Sequence, residues 1–278
     1  MKLSFSQYGK SAVGLLKVFR DGDVQTVKEI EVSTLASGDF DRAFYSGDNS
    51  TTVPTDTIKN TIYAMAKDHL GESIEDFALF LADHFLGKYP SFHGVTIEIT
   101  EKPWQRMVVG DQAHAHSFQR ALSGIKTTCI RADRSSKDIV SGIKELEILK
   151  STGSGFVGFP RCEFTTLPET TDRILATRVS ATWHYTKPVK NFNETNRKIV
   201  DQFILAFTTE YSRAVQETLF RMGTLALEAV PELDRVMLRL PNMHFFQYDL
   251  ARFGMENKGE IFFPAPNPHG DISATVER

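Results

Sequence analysis

The chain has little of several features that mark particular classes of protein. Its 278 residues contain two cysteines, Cys129 and Cys162, which are far apart in the sequence and form no ligand-like pair. A disulfide framework or a cysteine zinc site is therefore not expected, and two free thiols fit a reducing compartment. No apolar run approaches the roughly 20 residues that span a bilayer, and the first residues do not read as a secretory signal.

An excess of charge of one sign is also absent. Lysine and arginine total 32 and the acidic residues total 35, which gives a formal net charge of -3. The two signs are interspersed without a basic stripe, so neither nucleic acid nor a membrane surface is predicted as a partner. A P-loop and a Gly-x-Ser-x-Gly motif are missing, which disfavours nucleotide hydrolysis and ordinary serine esterase chemistry.

What is present is a pattern that occurs twice. Residues 71–90 and 212–231 each read as an amphipathic helix that ends in a proline, and five residues later an alternating strand begins, at Val95 and at Val236. Another helical stretch precedes each of these helices, at residues 56–70 and 194–209. The repeated order of strands and paired helices predicts an α+β fold, in which each copy is an antiparallel sheet with two helices on one face.

We place the boundary between the two copies near Phe118, which gives domains of residues 1–118 and 119–278. A sheet that is covered on one face leaves its other face to be buried by something else, so oligomerisation is expected. The proline-rich residues 263–268 are predicted to form an extended C-terminal tail rather than regular structure.

Two local patterns point to other functions. Residues 153–158 match the spacing of a dinucleotide-binding fingerprint, but Pro160 and Pro168 oppose the helix that must follow, which favours a loop that presents Phe156. His114 and His116 could supply two metal ligands from one strand. Zinc requires a third and a fourth ligand, and the sequence contains no cysteine or HExxH-type motif that would supply them. Ordinary hydrogen bonding is the alternative interpretation of this pair.

A polar pair follows the second repeated strand. Pro241 interrupts that strand, and Asn242 and His244, which are two residues apart, are expected to project from the same face. An amide beside an imidazole can hold and move a proton or bind a small polar molecule. Taken alone, such a pair is more often an ordinary structural contact.

Four further motifs accompany this pair in order along the chain. They are Tyr8-Gly9-Lys10, the segment Val53 to Thr57 that opens a helix, the run from Phe156 to Arg173, and Ala214-Val215-Gln216. Together with Asn242 and His244 they resemble urate oxidase, and the match extends from Lys10 to Leu250. Its most specific part is Thr-Thr-Leu-x-Glu-Thr-x-Asp-Arg-Ile-Leu-x-Thr at residues 165–177, followed by Ala181-Thr182-Trp183.

The resemblance implies a fold, an assembly and an activity. The family is built from two tandem tunnelling-fold (T-fold) domains, and four chains assemble around a β-barrel tunnel with active sites at the subunit interfaces. The implied reaction is the oxidation of urate by O₂ and water to 5-hydroxyisourate and hydrogen peroxide in purine degradation, with no cofactor. The chain ends Val276-Glu277-Arg278 instead of in a peroxisomal tripeptide, so a cytoplasmic location is expected.

The resemblance also divides the site residues between two chains. Lys10, Thr55 and Asp56 would come from one chain, and Phe156, Arg173, Val215, Gln216, Asn242 and His244 from its neighbour. An aromatic ring can stack on a flat purine, a guanidinium can donate to two adjacent acceptors, and Gln216 can bind the opposite edge. Backbone amides at Val215 and at the helix start near Thr55 and Asp56 would favour negative charge.

The proton chemistry is assigned to side chains because the family uses neither metal nor flavin. Lys10 is the expected base, Thr55 the relay between Lys10 and substrate or water, and His244 the outer member of the relay. Asn242, with Thr55, would hold O₂ or water above the ring. Each residue also has an ordinary interpretation, such as a solvated lysine, a helix-capping threonine or a packed phenylalanine.

Two competing interpretations remain open at this point. A zinc-dependent pterin enzyme of the same fold would use His114 and His116 as ligands. A non-catalytic purine-binding scaffold would need Phe156, Arg173 and Gln216 but not Lys10, Thr55 or His244, and the presence of all three favours the enzyme.

Overall fold

The computed structural model describes residues 1–20 and 22–278 and divides into two compact units. The first contains Met1–Ile143 and His184–Asn196, and the second contains Lys144–Trp183 and Arg197–Arg278. The boundary that we place near Phe118 refers to the repeated sequence pattern and stays a prediction. Among the described residues, no helix is long and apolar enough to cross a membrane.

The first unit is an antiparallel sheet with a helical layer and a separate hairpin. In chain order its elements are β1 (Tyr8–Phe19), β2 (Thr26–Gly38), α1 (Asp41–Ser46), α2 (Thr55–His69), α3 (Ile74–Lys88), β3 (Phe92–Lys102), β4 (Trp104–Val109), β5 (Gln112–Arg120), β6 (Ile125–Asp133) and the first part of β7 (Lys137–Lys150). The strand order is β1-β2-β3-β6-β7, and β4 and β5 pair with each other in a separate two-stranded sheet.

Alternating burial along β2 shows which face of this sheet the helices cover. Its buried side chains are Lys28, Ile30, Val32, Thr34 and Ala36, and the residues between them are half-buried. The buried apolar residues of β2, α2 and α3 form one hydrophobic core. Period-2 burial in the strand and apolar stripes on the helices therefore produce the two layers.

The second unit continues with further strands and two long helices. Its elements are the end of β7, most of β8 (Leu175–Tyr185), most of α4 (Phe192–Thr209), α5 (Val215–Ala229), β9 (Leu233–Arg239), β10 (Asn242–Gln247), a short 3₁₀ helix (Ala251–Phe253), β11 (Phe262–Gly270) and β12 (Ser273–Glu277). The strand order is β7-β8-β10-β11, and β9 pairs with β8 and β12. Helix α5 buries Leu219, Met222 and Ala226, and Val236 and Leu238 of β9 are also buried.

The repeated pattern of the sequence is confirmed. Helices α3 and α5 each contain 15 residues, and each is followed by a strand, β3 or β9. Helices α2 and α4 precede them as expected. The α+β fold with antiparallel sheet and paired helices is therefore the observed one.

The predicted C-terminal tail is wrong. Residues 263–268 lie within β11, whose Pro264 and Ala265 are opposite Phe245 and His244 of β10, and β12 follows as another strand. Strand β11 lies beside β10 at the end of the path of its sheet, as far as the described residues show. Prolines are tolerated in such an edge strand because part of its N–H groups face away from the neighbouring strand.

Long basic side chains from other elements complete the C-terminal ends of three helices. Lys17 of β1 donates to the carbonyl oxygens of Ala66, Lys67 and Leu70 at the end of α2, at 3.0, 2.8 and 2.6 Å. Arg134 donates to carbonyls that follow α3, and Arg278 to carbonyls at the end of α5. Most of these carbonyls lie at or just beyond the negative end of a helix, where a cation is favourable, and the Ala66 carbonyl also accepts the Leu70 N–H at 3.3 Å.

Candidate active site

Helix α2 of the first unit has an exposed first turn. It begins at Thr55 after Pro54, which is the N-cap residue and offers no side-chain cap, so Thr55 does not act as the capping residue. The first backbone N–H groups of a helix have no intrahelical acceptor and attract negative charge. Thr55 and Asp56 are both exposed, and this turn is therefore accessible to a ligand.

The Asp56 carboxylate is held in place by its own helix. It accepts hydrogen bonds from Lys59 Nζ at 2.5 Å and from Asn60 Nδ2 at 2.9 Å. The contact with Lys59 lowers the pKa of Asp56 most, and the charge of Lys10 lowers it further. Lys10 belongs to β1, and α2 packs against this strand.

A tyrosine connects Lys10 to this helix start. The Tyr8 hydroxyl accepts a hydrogen bond from the backbone N–H of Val53 at 2.7 Å, and its ring makes an edge contact with Phe40 at 4.6 Å between centroids. Burial raises the pKa of Tyr8 above its ordinary value. Tyr8 thus fixes the beginning of β1 against the segment that leads into Thr55.

In the second unit, a glycine-rich loop presents Phe156. Backbone hydrogen bonds join Gly155 to Ser212 at 2.8 Å and Phe156 to Thr170 at 2.8 and 3.1 Å. A Cβ atom at residue 155 would overlap the hydroxyl of Tyr211 and the carbonyl oxygen of Thr170, so only glycine allows this approach. The segment matching the dinucleotide fingerprint is therefore a loop that presents Phe156, as predicted.

Arg173 lies beside this ring with an unused donor. Its backbone N–H donates to the carbonyl of Ser154 at 2.8 Å, and its guanidinium carbon is 5.9 Å from the centre of the Phe156 ring. Burial lowers the pKa of Arg173, and its Nε atom is buried without a hydrogen-bond partner among the described residues. A buried N–H without an acceptor is costly unless a ligand supplies one.

Helix α5 starts next to the same loop. Val215 is its first residue and is 4% exposed, whereas the Gln216 side chain that follows is exposed. The N-cap residue, Ala214, has no side chain to cap the helix, so the first N–H groups remain available. Ser212, two residues earlier, is the residue that holds the Phe156 loop, which places α5 and the loop side by side.

Strand β10 supplies the polar pair. The strand begins at Asn242 after Pro241, and both Asn242 and His244 are half-buried. Burial lowers the pKa of His244, and the charges of Arg173 and His269 lower it further, so Arg173 and His244 lie in one electrostatic environment. The His244 ring also stacks on Phe246, with 5.6 Å between centroids.

The predicted residues thus form two groups. Lys10, Thr55 and Asp56 lie together in the first unit. Contacts, charge effects or shared elements connect the second group, which consists of Phe156, Arg173, Val215, Gln216, Asn242 and His244.

Comparison with known proteins identifies the family. A family model described as "Uricase" matches residues 6–131 and 139–273, which include every residue of both groups. The chain belongs to the uricase family.

Curated uricases resemble the chain over nearly its whole length. The uricase of Arthrobacter globiformis is 40% identical over 276 residues, which cover 99% of this chain and 90% of that protein. The uricase of Oryctolagus cuniculus is 37% identical over 278 residues, which cover 98% of this chain and 93% of the relative. Membership of the uricase family therefore concerns both units of the chain.

Solved structures of the uricase family share the fold. The crystal structure of uricase from Arthrobacter globiformis superposes with a TM-score of 0.93, covers 100% of this chain and 95% of its own, and is 40% identical. The urate oxidase of Bacillus sp. TB-90 superposes with a TM-score of 0.84 at 24% identity, over 98% of this chain and 100% of its own. The second likeness concerns the fold alone.

His114 and His116 both lie in β5 in this member of the uricase family. Their rings are 4.6 Å apart in an edge arrangement, and the backbone N–H of His116 points to His114 Nδ1 at 3.4 Å. Within residues 1–20 and 22–278, no group of three or more His, Cys, Asp or Glu side chains could hold a metal ion.

The sequence did not single out two tyrosines that support the site. Tyr8 entered only as part of a motif, and Tyr211, whose hydroxyl donates to the Thr171 carbonyl at 2.7 Å, had no signal of its own. Both residues act on segments that are distant in the sequence, and such contacts leave no local pattern.

Proposed function

We propose that this protein oxidises urate, with O₂ and water, to 5-hydroxyisourate and hydrogen peroxide, a step of purine degradation that proceeds without a cofactor. The observation that carries the proposal is the half-buried Arg173, whose buried Nε donor is unpaired and whose guanidinium faces the Phe156 ring near His244. Membership of the uricase family supports the same substrate.

Urate is a flat anion with acceptors along two edges. Phe156 stacks on its ring system, and Arg173 donates two parallel hydrogen bonds to adjacent acceptors on one edge. Gln216 pairs with the opposite edge through its amide, which both donates and accepts. The free N–H groups at the start of α5, including that of Val215, and at the start of α2, beside Thr55 and Asp56, favour the negative charge.

The reaction needs a proton acceptor near the ring and a place for the small co-substrates. Lys10 is the proposed proton acceptor, and it takes a proton from urate through the Thr55 hydroxyl. His244 receives or returns the proton at the outer end of this relay. Asn242 and Thr55 hold O₂ and later the water that attacks the oxidised ring. Urate loses two electrons to O₂, which also takes up two protons and leaves as hydrogen peroxide, and water supplies the oxygen atom added to the ring.

The assembly proposed for the chain explains how the two groups of residues meet. Two tandem tunnelling-fold domains form each protomer, and four protomers surround a β-barrel tunnel. Each active site then takes Lys10, Thr55 and Asp56 from one protomer and the second group of residues from its neighbour. The free start of α2 in the first unit and the unpaired Arg173 donor in the second support this division.

The activity is tested directly with purified, chelator-treated protein. Loss of urate absorbance, O₂ uptake and peroxide release are followed together, and the proposal expects all three to proceed at matching rates. Lys10→Met and Thr55→Ala should each lower kcat by about 100-fold, the usual contribution of a proton-transfer group. Lys67→Met, an exposed lysine at the far end of α2, is the matched control. Binding of urate without turnover would favour a purine-binding scaffold instead.

A mixing experiment tests the shared site. Lys10→Met and Arg173→Met proteins are purified separately, dissociated and reassembled together. If each site draws on two protomers, some mixed sites contain an intact Lys10 and an intact Arg173, and activity returns. If both residues of a site belong to one chain, every site keeps one defect and activity stays absent.

A further inference from the structure

Part-way along β1, the side chains that lie on the helix-covered face of the sheet change from one alternating set to the other. The residues of β1 that lie opposite the buried side of β2 are on the face that the helices cover. The pairs are Tyr8 with Ala36, Lys10 with Thr34, Val13 with Val32, and Leu15 with Ile30. The β1 residues on the helix-covered face are therefore even-numbered before residue 11 and odd-numbered after residue 12.

A regular strand cannot do this, because its side chains alternate strictly between the two faces. The register shifts between Lys10 and Val13, where Ser11 and Ala12 together oppose the single residue Ser33. This arrangement is a β-bulge with one extra residue. The bulge is the reason that Lys10 and Val13 share a face of the sheet.

The bulge has an uncommon backbone conformation. Ala12 has φ of 57°, in the left-handed region that residues with a Cβ rarely adopt. Its N–H donates to the Ser33 side-chain oxygen at 3.1 Å across the strand pair. Strained residues persist where neighbouring contacts hold them, and they occur beside functional groups.

We propose that Ala12 and Ser33 are positioning residues for the reaction, because the bulge they maintain sets Lys10 on the face that carries the start of α2. This inference rests on the proposed role of Lys10 in proton transfer. The bulge also places Tyr8 on the helix-covered face, where Tyr8 must lie to contact Phe40 and Val53.

The competing state is a straight strand of the same sequence. Without the extra residue in a bulge, Lys10 would lie opposite Leu35 instead of Thr34 and would face the other side of the sheet. Tyr8 would leave Phe40 and release the Val53 N–H. Substitutions that disfavour the left-handed conformation at residue 12 should move the protein towards this state.

The main test variant is Ala12→Val, because a β-branched residue is poorly tolerated at positive φ and favours a regular strand. We expect kcat to fall by about 100-fold, as for loss of a proton-transfer group, while anaerobic urate affinity changes by less than about twofold. Gly14→Val, which adds the same side chain to open space in the regular part of β1, is the matched control.

A second variant separates positioning from general damage. Deleting Ser11 in the Ala12→Val protein removes one residue, so a straight strand again places Lys10 opposite Thr34. We expect this shortened strand to recover most of the lost kcat. Ser33→Ala should also lower kcat, and Ser33→Thr, which keeps a hydroxyl acceptor for the Ala12 N–H, should restore it.

Hydrogen exchange at the Val53 amide shows independently on which face of the sheet Tyr8 lies, because the Tyr8 hydroxyl protects this amide. Faster exchange in Ala12→Val together with lower kcat, both reversed by the Ser11 deletion, supports the inference. Unchanged exchange at Val53, or a deletion that restores neither quantity, overturns it. If exchange changes as expected but kcat does not, and Lys10→Met is also fully active, the failure lies in the proposed role of Lys10.

Discussion

The Tyr8 hydroxyl and the Val53 backbone N–H are 2.7 Å apart, although 45 residues separate them in the sequence. This hydrogen bond joins the beginning of β1 to the segment that enters α2. Lys10 and Thr55, two members of the proposed proton relay, are attached to these segments, so their relative position depends on the contact.

Tyr8→Phe keeps the ring and removes this hydrogen bond. We expect the free energy of unfolding to fall by about 1 kcal/mol, because the part-buried Val53 N–H loses its acceptor. If the transition state of the reaction lost about 1 kcal/mol of stabilisation as well, kcat would fall by about fivefold. Denaturant unfolding and steady-state kinetics measure the two effects. Tyr45→Phe, which removes an exposed hydroxyl bonded to Leu3, should change neither quantity appreciably.

Arg173→Lys keeps the charge but loses the planar fork of donors. We expect urate to bind roughly 10 to 100 times more weakly, equivalent to about 1.4–2.8 kcal/mol, because a lysine cannot make two parallel hydrogen bonds. Titration without O₂ measures the affinity in the absence of turnover. The control is Arg161→Lys, an exposed arginine that faces the ring of Phe159 at 5.6 Å. Equal effects of the two substitutions would argue against a specific role for Arg173.

His244 should make stability depend on pH in the weakly acidic range. Burial, Arg173 and His269 lower its pKa in the folded protein, so the unfolded chain binds the proton first as the pH falls. The free energy of unfolding is highest at pH values above about 6.5, the ordinary pKa of histidine. It decreases as the pH falls from there through the pKa of His244 in the folded protein. Unfolding curves at several pH values should show this loss for the parent protein and a smaller one for His244→Gln. An NMR titration that placed the His244 pKa above 6.5 would contradict the assignment.

Lys17→Met tests the helix-capping cation without touching either group of site residues. The substitution removes three hydrogen bonds to the end of α2, and we expect a loss of about 1–2 kcal/mol in the free energy of unfolding. The value of kcat should remain unchanged. Lys67→Met, an exposed position on the same helix, should have little effect on either quantity. A fall in kcat for Lys17→Met would mean that the end of α2 affects the site.

The helices and most strands could be predicted because their periodicity is local. Residues 71–90 and 212–231 contain α3 and α5, and the following strands begin within a few residues of the predicted positions. Strand β11 was missed because prolines disfavour strands in general, and only the sheet topology reveals that this one is an edge strand.

The bulge in β1 could not be predicted from the sequence. A glycine at residue 12 would have indicated a left-handed residue, but Ala12 gives no such signal, and the hydrogen bond from the Ala12 N–H to Ser33 is visible only in the paired strands. The site residues themselves were found through the order of their motifs. The contacts of Tyr8 and Tyr211 that support them are between distant segments, and no local pattern encodes such contacts.

The basic side chains at the helix ends have a consequence for folding. Lys17 lies about 50 residues from the carbonyls that it satisfies, and Arg278 lies about 50 residues from its own at the end of α5. The last turns of these helices therefore remain incomplete until distant parts of the chain have been brought together. Closing such long loops costs entropy before any contact forms, so these turns should become protected late and together with the sheets. Helix completion in each unit is in this way tied to its tertiary structure, which favours cooperative folding over the persistence of isolated helices.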